Sequence, residues 1–177
     1  MKKILFAVLL TLGANAENFN EIFHTGQNSA TTLLKALGGE LKAKMKEGNI
    51  TKAIQFCASN GLPITAKVDE KLGENISIKR ISEKNRNPQN VPTEAEAKIL
   101  KLMEENGSPI LTKAGKDTYK YYHPLKIAKP VCLKCHGKGE DMPEQARKTI
   151  HSLYPKDKAY GYSKGDLRGA IVVEIRK

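Results

Sequence analysis

Cys132, Cys135 and His136 form a C-x-x-C-H motif, which is the strongest chemical signal in the chain. This spacing is the covalent attachment signal of c-type haem. Two thiols three positions apart can add to the two vinyl groups on one edge of a porphyrin, and the next residue is then held where an imidazole binds the iron. The motif therefore predicts one covalently attached haem c, with His136 as the proximal iron ligand.

Two other chemistries also use paired cysteines. A structural zinc site needs four ligands, and only Cys57 remains as a further thiolate. A thioredoxin-like redox pair needs a strand-to-helix context, which the sequence around Cys132 does not have. Both interpretations are weaker than haem attachment.

The residue that binds the other side of the iron is less clearly marked. Met142 follows His136 too closely in the chain to reach the opposite face of a haem. His24, His123 and His151 have the right chemistry, but His24 lies in a predicted helix and His123 precedes a proline.

Cys57 is a different kind of candidate. It falls at i+7 on the apolar face of a predicted helix, so we expect it to face inward. Haem attachment at Cys132 and Cys135 leaves it no disulfide partner, and a free thiol is a liability in an oxidising compartment. From the residues alone, an iron ligand and a buried core cysteine are equally good interpretations.

The N-terminus is typical of an export signal. Met1-Lys2-Lys3 precedes an apolar run from Ile4 to Leu12, and Ala14-Asn15-Ala16 is a signal-peptidase pattern. The alternative is that this segment is retained as a membrane anchor, but the apolar run is too short for that. No later segment predicts a membrane span. We expect residues 1–16 to be removed and residues 17–177 to act in a bacterial periplasm, where haem c is attached.

The charge balance limits the class of partner. The 177 residues include 30 Lys+Arg against 19 Asp+Glu, and only five of the basic residues are arginines. Nucleic-acid readers usually cluster arginine and aromatic side chains on one face, whereas these lysines are spread along the chain. We expect no nucleic-acid binding, and an acidic protein partner suits the charge better.

The pattern of apolar residues predicts helices first and strands later, in one α+β domain of ordinary size. A helix from Phe19 to Gly48 is softened at Gly38-Gly39, and a second helix, capped by Asn49, ends at Gly61. The remaining predicted elements are a run at 63–73, a strand at 76–81, a loop at 85–92, a helix from the Thr93/Glu96 capping box to Asn106, and strands at 118–127 and 170–175.

Four stretches carry a family resemblance. They are AIQFC at 53–57, RNPQNVP at 86–92, YHPL at 122–125 ahead of the C-x-x-C-H motif, and GDLRGA at 165–170. The combination of C-x-x-C-H with N-P-x-N-x-P and D-L-R-G is the specific feature. The chain resembles a family of exported c-type haem domains, found as small periplasmic proteins and as input domains of membrane histidine kinases.

The resemblance implies a PAS-like antiparallel sheet with flanking helices, preceded here by N-terminal helices. It also implies that His136 and the thiolate of Cys57 hold the haem iron between them. Arg80 and Arg86 are candidate partners of the haem propionates, since guanidinium groups bind carboxylates in a forked geometry, although ordinary surface arginines are the alternative. Tyr122, in the YHPL stretch, is a further candidate for the haem pocket.

Two functions follow from such a site. A thiolate ligand favours ferric iron and a low potential, and its release on reduction would open a site for CO or NO, which predicts a redox or gas sensor. A rim of lysines around the motif (Lys126, Lys129, Lys134 and Lys138) instead predicts an electron carrier that docks an acidic redox partner, although an ordinary solvated lysine face is the alternative and slightly the better interpretation. We expect no enzymatic activity, because Cys57 would block the open site that a haem peroxidase needs.

Overall fold

The structure is a computed structural model that describes residues 8–46 and 49–177 as a mixed α/β protein. The elements, in chain order, are α1 (Val8–Lys46), α2 (Ile50–Leu72), β1 (Ile76–Ile81), a 3-10 turn (Pro88–Asn90), α3 (Glu94–Asn106), β2 (Ile110–Lys113), β3 (Thr118–Lys126), α4 (Pro130–His136), α5 (Glu144–Leu153) and β4 (Leu167–Arg176). Residues 1–7 of the predicted signal peptide and Gly48, the predicted end of the first helix, lie outside the described residues.

The four strands form one antiparallel sheet in the order β1-β4-β3-β2. Ile171 of β4 pairs with Arg80 of β1 and with His123 of β3, while the next residue, Val172, pairs with Tyr122. Directly paired residues share a face of the sheet and successive residues alternate. Arg80 and His123 therefore lie on one face, and Tyr122 lies on the other.

Each face of the sheet has its own apolar core. Ile22 and Leu33 of α1 and Val68 of α2 pack on one face against Tyr121 and Ile171. The other face packs against α3 through a second set of buried residues: Ile81, Leu100, Met103, Tyr122, Ala170 and Val172. The sheet thus separates a face covered by α1 and α2 from a face covered by α3.

The first helix confirms the predicted apolar period only in part. Ile22, Ala30 and Leu33 are buried, but Phe19 is 46% exposed and touches the sheet through an edge contact with Tyr119. The Gly38-Gly39 pair lies inside α1 and does not interrupt it. Within residues 8–46 and 49–177, no helix is both long and apolar enough to cross a membrane.

The predicted break at Gly61 is wrong, because α2 continues through Gly61 and Pro63 to Leu72. Residues on both sides of this point are buried, so packing along the whole helix outweighs the poor helix propensity of glycine and proline. The small Gly61 also lets Arg80 reach the helix, where its Nη2 donates to the Gly61 carbonyl at 2.8 Å.

Three elements of the structure have no counterpart in the prediction. They are the short strand β2, the helix α4 that carries the C-x-x-C-H motif, and the helix α5 that follows it. Ala146 and Ile150 of α5 are buried four residues apart, a helical spacing that could have been recognised in the sequence. The helix α5 packs against α2, and Cys135 of the motif packs against the apolar cluster that the two helices share.

The predicted capping box at the start of α3 is confirmed. The Glu96 N–H donates to Thr93 Oγ1 at 3.3 Å, and the Thr93 N–H donates to Glu96 Oε2 at 3.0 Å. The Glu96 side chain is 1% exposed, and its Oε1 lies 2.8 Å from Lys79 Nζ. Burial alone would raise the pKa of Glu96, but these hydrogen bonds and the charges of Lys79 and Lys120 hold it below its usual range.

Glu96→Gln is expected to lower the free energy of unfolding near neutral pH by about 1 kcal/mol, because it removes the ion pair between the buried Glu96 carboxylate and the half-exposed Lys79. Since the pKa of Glu96 is depressed in the folded protein, its contribution is present above the unfolded value of about 4.3 and is lost as the pH falls through the folded value. Urea denaturation at pH values from 7 to 3 should therefore show the two proteins converging. Glu105→Gln, at an exposed site on the same helix, should differ little from wild type at any pH, and a constant deficit for Glu96→Gln would contradict the assignment.

Candidate functional site

The seven-residue helix α4 presents the C-x-x-C-H motif. It begins at Pro130, whose missing N–H is not needed in the first turn, and the Gly137 N–H caps it by donating to the Leu133 carbonyl at 2.8 Å. Helical residues three positions apart lie on the same side, so Cys132 and Cys135 project together from α4. Both are free thiols and are half-buried.

His136 is held in one tautomer by the backbone. Its Nδ1 lies 2.9 Å from the carbonyl oxygen of Ala159, which can only accept, so Nδ1 carries the proton and Nε2 keeps its lone pair. Burial, together with the nearby charges of Arg168 and Arg86, lowers the pKa of His136 to about 3. The imidazole is therefore neutral at physiological pH and has one nitrogen available to a metal.

The guanidinium group of Arg86 is hydrogen-bonded to groups of the protein itself. Its Nε and Nη2 form a forked pair with the carboxylate of Asp157 at 3.1 and 3.0 Å. The same Nη2 donates to the carbonyl oxygens of Cys135 at 2.7 Å and Ala159 at 3.1 Å. The structure thus places Arg86, predicted as a propionate partner, where it ties α4 to the loop that follows α5.

Arg80 keeps an N–H group without a partner. Its Nη2 is bound to the Gly61 carbonyl, but its Nε is buried and makes no hydrogen bond. A buried donor without an acceptor costs free energy, so this Nε–H is suited to an acceptor that the protein itself does not supply. Burial lowers the pKa of Arg80, and the charge of Cys57 opposes that effect.

Cys57 differs from the prediction that it faces inward, because its thiol is exposed to solvent. Burial nevertheless raises its pKa, and the charges of Arg80 and Arg86 only partly offset this. Ala53 and Ile54 of the same helix are buried in the core, whereas Cys57 is not.

Cys57 lies near enough to the motif on α4 for its charge to act on Cys135. Burial raises the pKa of Cys135 to about 11, and a thiolate at Cys57 contributes to the rise. Burial also raises the pKa of Tyr154, and the charge of Cys57 adds to this rise. Helices α2 and α4 and the residue after α5 therefore contribute side chains to one site.

The other candidate iron ligands are placed differently. His24 and His151 are exposed on α1 and α5. His123 is half-buried on β3, where its Nδ1 lies 3.4 Å from the hydroxyl of Tyr121, and burial lowers its pKa. Met142 is buried in an apolar cluster with Ile54, Ala146 and Ile150, against which Cys135 also packs.

Tyr122 does not share the site with Arg80. It lies on the opposite face of the sheet, buried with Leu100 and Met103 of α3. Burial raises the pKa of Tyr122, and the neighbouring Glu96 adds to the rise. The structure thus places Tyr122 in the core beneath α3.

Arg168 is a functional candidate that the sequence did not single out, although it belongs to the D-L-R-G stretch. Its Nη1 donates to Ser82 Oγ at 2.7 Å, its Nε is buried without a hydrogen-bond partner, and its guanidinium lies 5.6 Å from the ring centroid of Tyr162. Tyr162 in turn packs edge-on against His136 at 6.3 Å. The adjacent Gly169 has φ 151°, and a Cβ there would collide with the Ile81 carbonyl, which explains the glycine of that stretch.

The residues that meet here fit the predicted cofactor. A covalent haem needs two thiols on one helix face, an imidazole with a free nitrogen and donors for its propionates. Cys132, Cys135 and His136 supply the first two requirements, and the unpartnered buried Nε–H groups of Arg80 and Arg168 are suited to the third. Residues 8–46 and 49–177 contain no cluster of three His, Cys, Asp or Glu side chains able to hold a metal ion, and a haem iron needs none because the porphyrin supplies most of its ligands.

Comparison with known proteins identifies the family. The family model described as Tll0287-like: Tll0287 matches residues 12–176, which is nearly the whole chain. The chain belongs to the Tll0287-like family.

A solved structure shares the fold of this Tll0287-like chain. The crystal structure of the cyanobacterial heme-protein Tll0287 superimposes with a TM-score of 0.60 at 19% sequence identity, covering 91% of this chain and 96% of that one. At this identity the similarity shows the fold alone, a mixed α/β arrangement with a four-stranded antiparallel sheet. No curated protein matches the chain.

Proposed function

We propose that this Tll0287-like chain is an exported c-type haem protein that senses redox state or a diatomic gas. One haem is attached through Cys132 and Cys135, and its iron lies between His136 and Cys57. Removal of residues 1–16 leaves a periplasmic PAS-like domain, for which the antiparallel sheet with helices on both faces is suitable.

The observation that carries the proposal is the arrangement on α4. Two thiols share one side of this helix, and the next residue, His136, is fixed through Nδ1 so that Nε2 is free. Iron-binding histidines in proteins are usually oriented by such a hydrogen bond from the other ring nitrogen. The name of the structural neighbour, a cyanobacterial heme-protein, supports the same cofactor.

Cys57 is the best second iron ligand in the chain. It is the one soft anionic donor left after attachment, and it lies close enough to Cys135 for their charges to interact. Haem supplies a one-electron iron couple when bound, and a thiolate ligand favours its ferric form. Burial raises the pKa of Cys57, and the charges of Arg80 and Arg86 act in the opposite direction, so these cations favour the anionic form of the ligand.

Electron transfer is the second candidate function, and the surface of α4 favours it. Val131 is 44% exposed, and the side chains of Lys126, Lys129, Lys134 and Lys138, which are its neighbours in the chain, are all exposed. Exposed cations close to the motif in the chain are suited to brief docking of an acidic redox protein, because opposite charges speed the encounter.

Covalent attachment is the first expected result. The protein, produced together with haem c maturation machinery, should keep its haem on the polypeptide after extraction with acidified acetone. Cys132→Ser combined with Cys135→Ser should release the colour into the organic phase, whereas Cys57→Ser should retain it because neither attachment thiol is changed. Release of the haem from wild-type protein would refute the c-type assignment.

Replacement of Cys57 by alanine should change the iron without detaching the haem. The ferric absorption spectrum should lose thiolate character and move toward high-spin haem, and the reduction potential should rise because the ferric state loses its charge donor. Ser59→Ala, at an exposed position on the same helix, is the matched control and should leave both unchanged. An unaltered low-spin spectrum in Cys57→Ala would instead assign the ligand to His24, His123, His151 or Met142.

Lysine-dependent docking should appear in the salt dependence of electron transfer to an acidic redox protein. The rate should fall steeply as the screening length shortens from about 30 Å at 0.01 M salt to about 8 Å at 0.15 M. Lys129→Gln with Lys134→Gln should flatten this dependence, whereas Lys42→Gln on α1 should not. Rates that do not change with salt would exclude docking by these lysines and leave the haem assignment intact.

A further inference from the structure

The carbonyl oxygen of Ala159 accepts two hydrogen bonds at once. One comes from His136 Nδ1 at 2.9 Å, and the other comes from the positively charged Arg86 through Nη2 at 3.1 Å. Ala159 is fully buried, so water does not compete for this oxygen. The imidazole and a cation therefore share one acceptor.

Asp157 holds both ends of this arrangement. Its carboxylate forms the forked pair with Arg86, and its Oδ1 also accepts the N–H of Ala159 at 2.8 Å. The side chains of Arg86 and Asp157 are only 13% and 9% exposed. The ion pair thus fixes residue 159 through its N–H and through its carbonyl group.

The same pair is connected to the motif helix. Arg86 Nη2 donates to the Cys135 carbonyl at 2.7 Å, one residue before His136. The Tyr162 N–H donates to the His136 carbonyl at 3.0 Å from the same loop as Ala159. A change at Arg86 or Asp157 is therefore transmitted directly to the backbone and the ring of His136.

We propose that Arg86 and Asp157 are positioning residues that set how strongly His136 donates electrons to the iron. This rests on the proposed function, in which His136 binds haem iron. A hydrogen bond from Nδ1–H to an acceptor makes the imidazole a stronger donor, and such partners tune the potential of a haem. Arg86 draws electron density from the shared oxygen and weakens that bond, while Asp157 neutralises part of the Arg86 charge.

The two residues consequently act in opposite directions. Without the guanidinium, Ala159 accepts more strongly from Nδ1–H, so His136 donates more and the ferric state is favoured. Without the carboxylate, the Arg86 charge acts on the shared oxygen in full, so His136 donates less. A charge acting through space would also change the reduction potential. The experiment must therefore also measure the NMR resonance of the His136 Nδ1 proton.

Lys158 provides a control for charge in the same loop. It lies between Asp157 and Ala159 in the chain, and its side chain is exposed. Lys158→Met removes a positive charge and leaves the hydrogen bonds of Arg86, Asp157 and His136 in place. It should leave the resonance of the His136 Nδ1 proton unmoved and change the reduction potential only slightly.

The experiment uses the haem-loaded protein labelled with ¹⁵N-histidine, in which NMR identifies the exchangeable Nδ1 proton of His136 and voltammetry gives the potential. Arg86→Met should shift this resonance in one direction and lower the potential, and Asp157→Asn should shift it in the other direction and raise the potential. If Arg86→Met does not fold, Arg86→Lys should give a smaller shift of the same sign, since an ammonium group keeps the charge but lacks the planar fork that binds both oxygens of Asp157.

Three results would overturn the proposal. An unchanged Nδ1 resonance in the variants, with only a lower melting temperature, would mean that the pair merely stabilises the loop. Shifts of the same sign in both variants would mean that loosening of the loop, not competition for the Ala159 carbonyl, moves the ring. Wild-type protein without covalent haem would instead refute the proposed function and this proposal with it.

Discussion

The ion pair between Arg86 and Asp157 is the interaction on which the candidate site depends. It joins the loop after β1 to the loop after α5, and both loops hold α4 from its C-terminal end. A buried pair of this kind offsets the cost of leaving water only when its remaining polar atoms are satisfied, and here the extra partners are backbone groups of Cys135 and Ala159. The hydrogen bonds that stabilise the ion pair are therefore the same ones that position the motif.

The sheet explains why this site can be exposed without weakening the fold. One core lies under α1 and α2 and another lies under α3. Neither core includes a residue of α4, so most of the buried apolar surface does not depend on this helix. The site is assembled where α2, α4 and α5 meet at the margin of these cores, with a small apolar cluster of its own around Met142. The unpartnered guanidinium N–H groups cost free energy, and apolar burial in the two cores offsets that cost.

Local patterns in the sequence were predicted well, and the reasons are local. The capping box of Thr93 and Glu96 needs only residues three positions apart, and the left-handed Gly107 that ends α3 needs only its own backbone. The break expected at Gly61 failed for the opposite reason. Contacts of α2 with α1, α5 and β1 along its whole length outweigh the local preference of that one residue.

By itself, the sequence determined the chemistry of α4, because the spacing of Cys132, Cys135 and His136 is a property of one short helix. It also indicated the order of the main helices and strands, since apolar period and caps act within a few residues. The tertiary structure decided that Cys57 is exposed and that Arg86 is bound to Asp157, 71 residues away. No local pattern encodes such a pair, because it forms only when the sheet and α5 bring distant loops together.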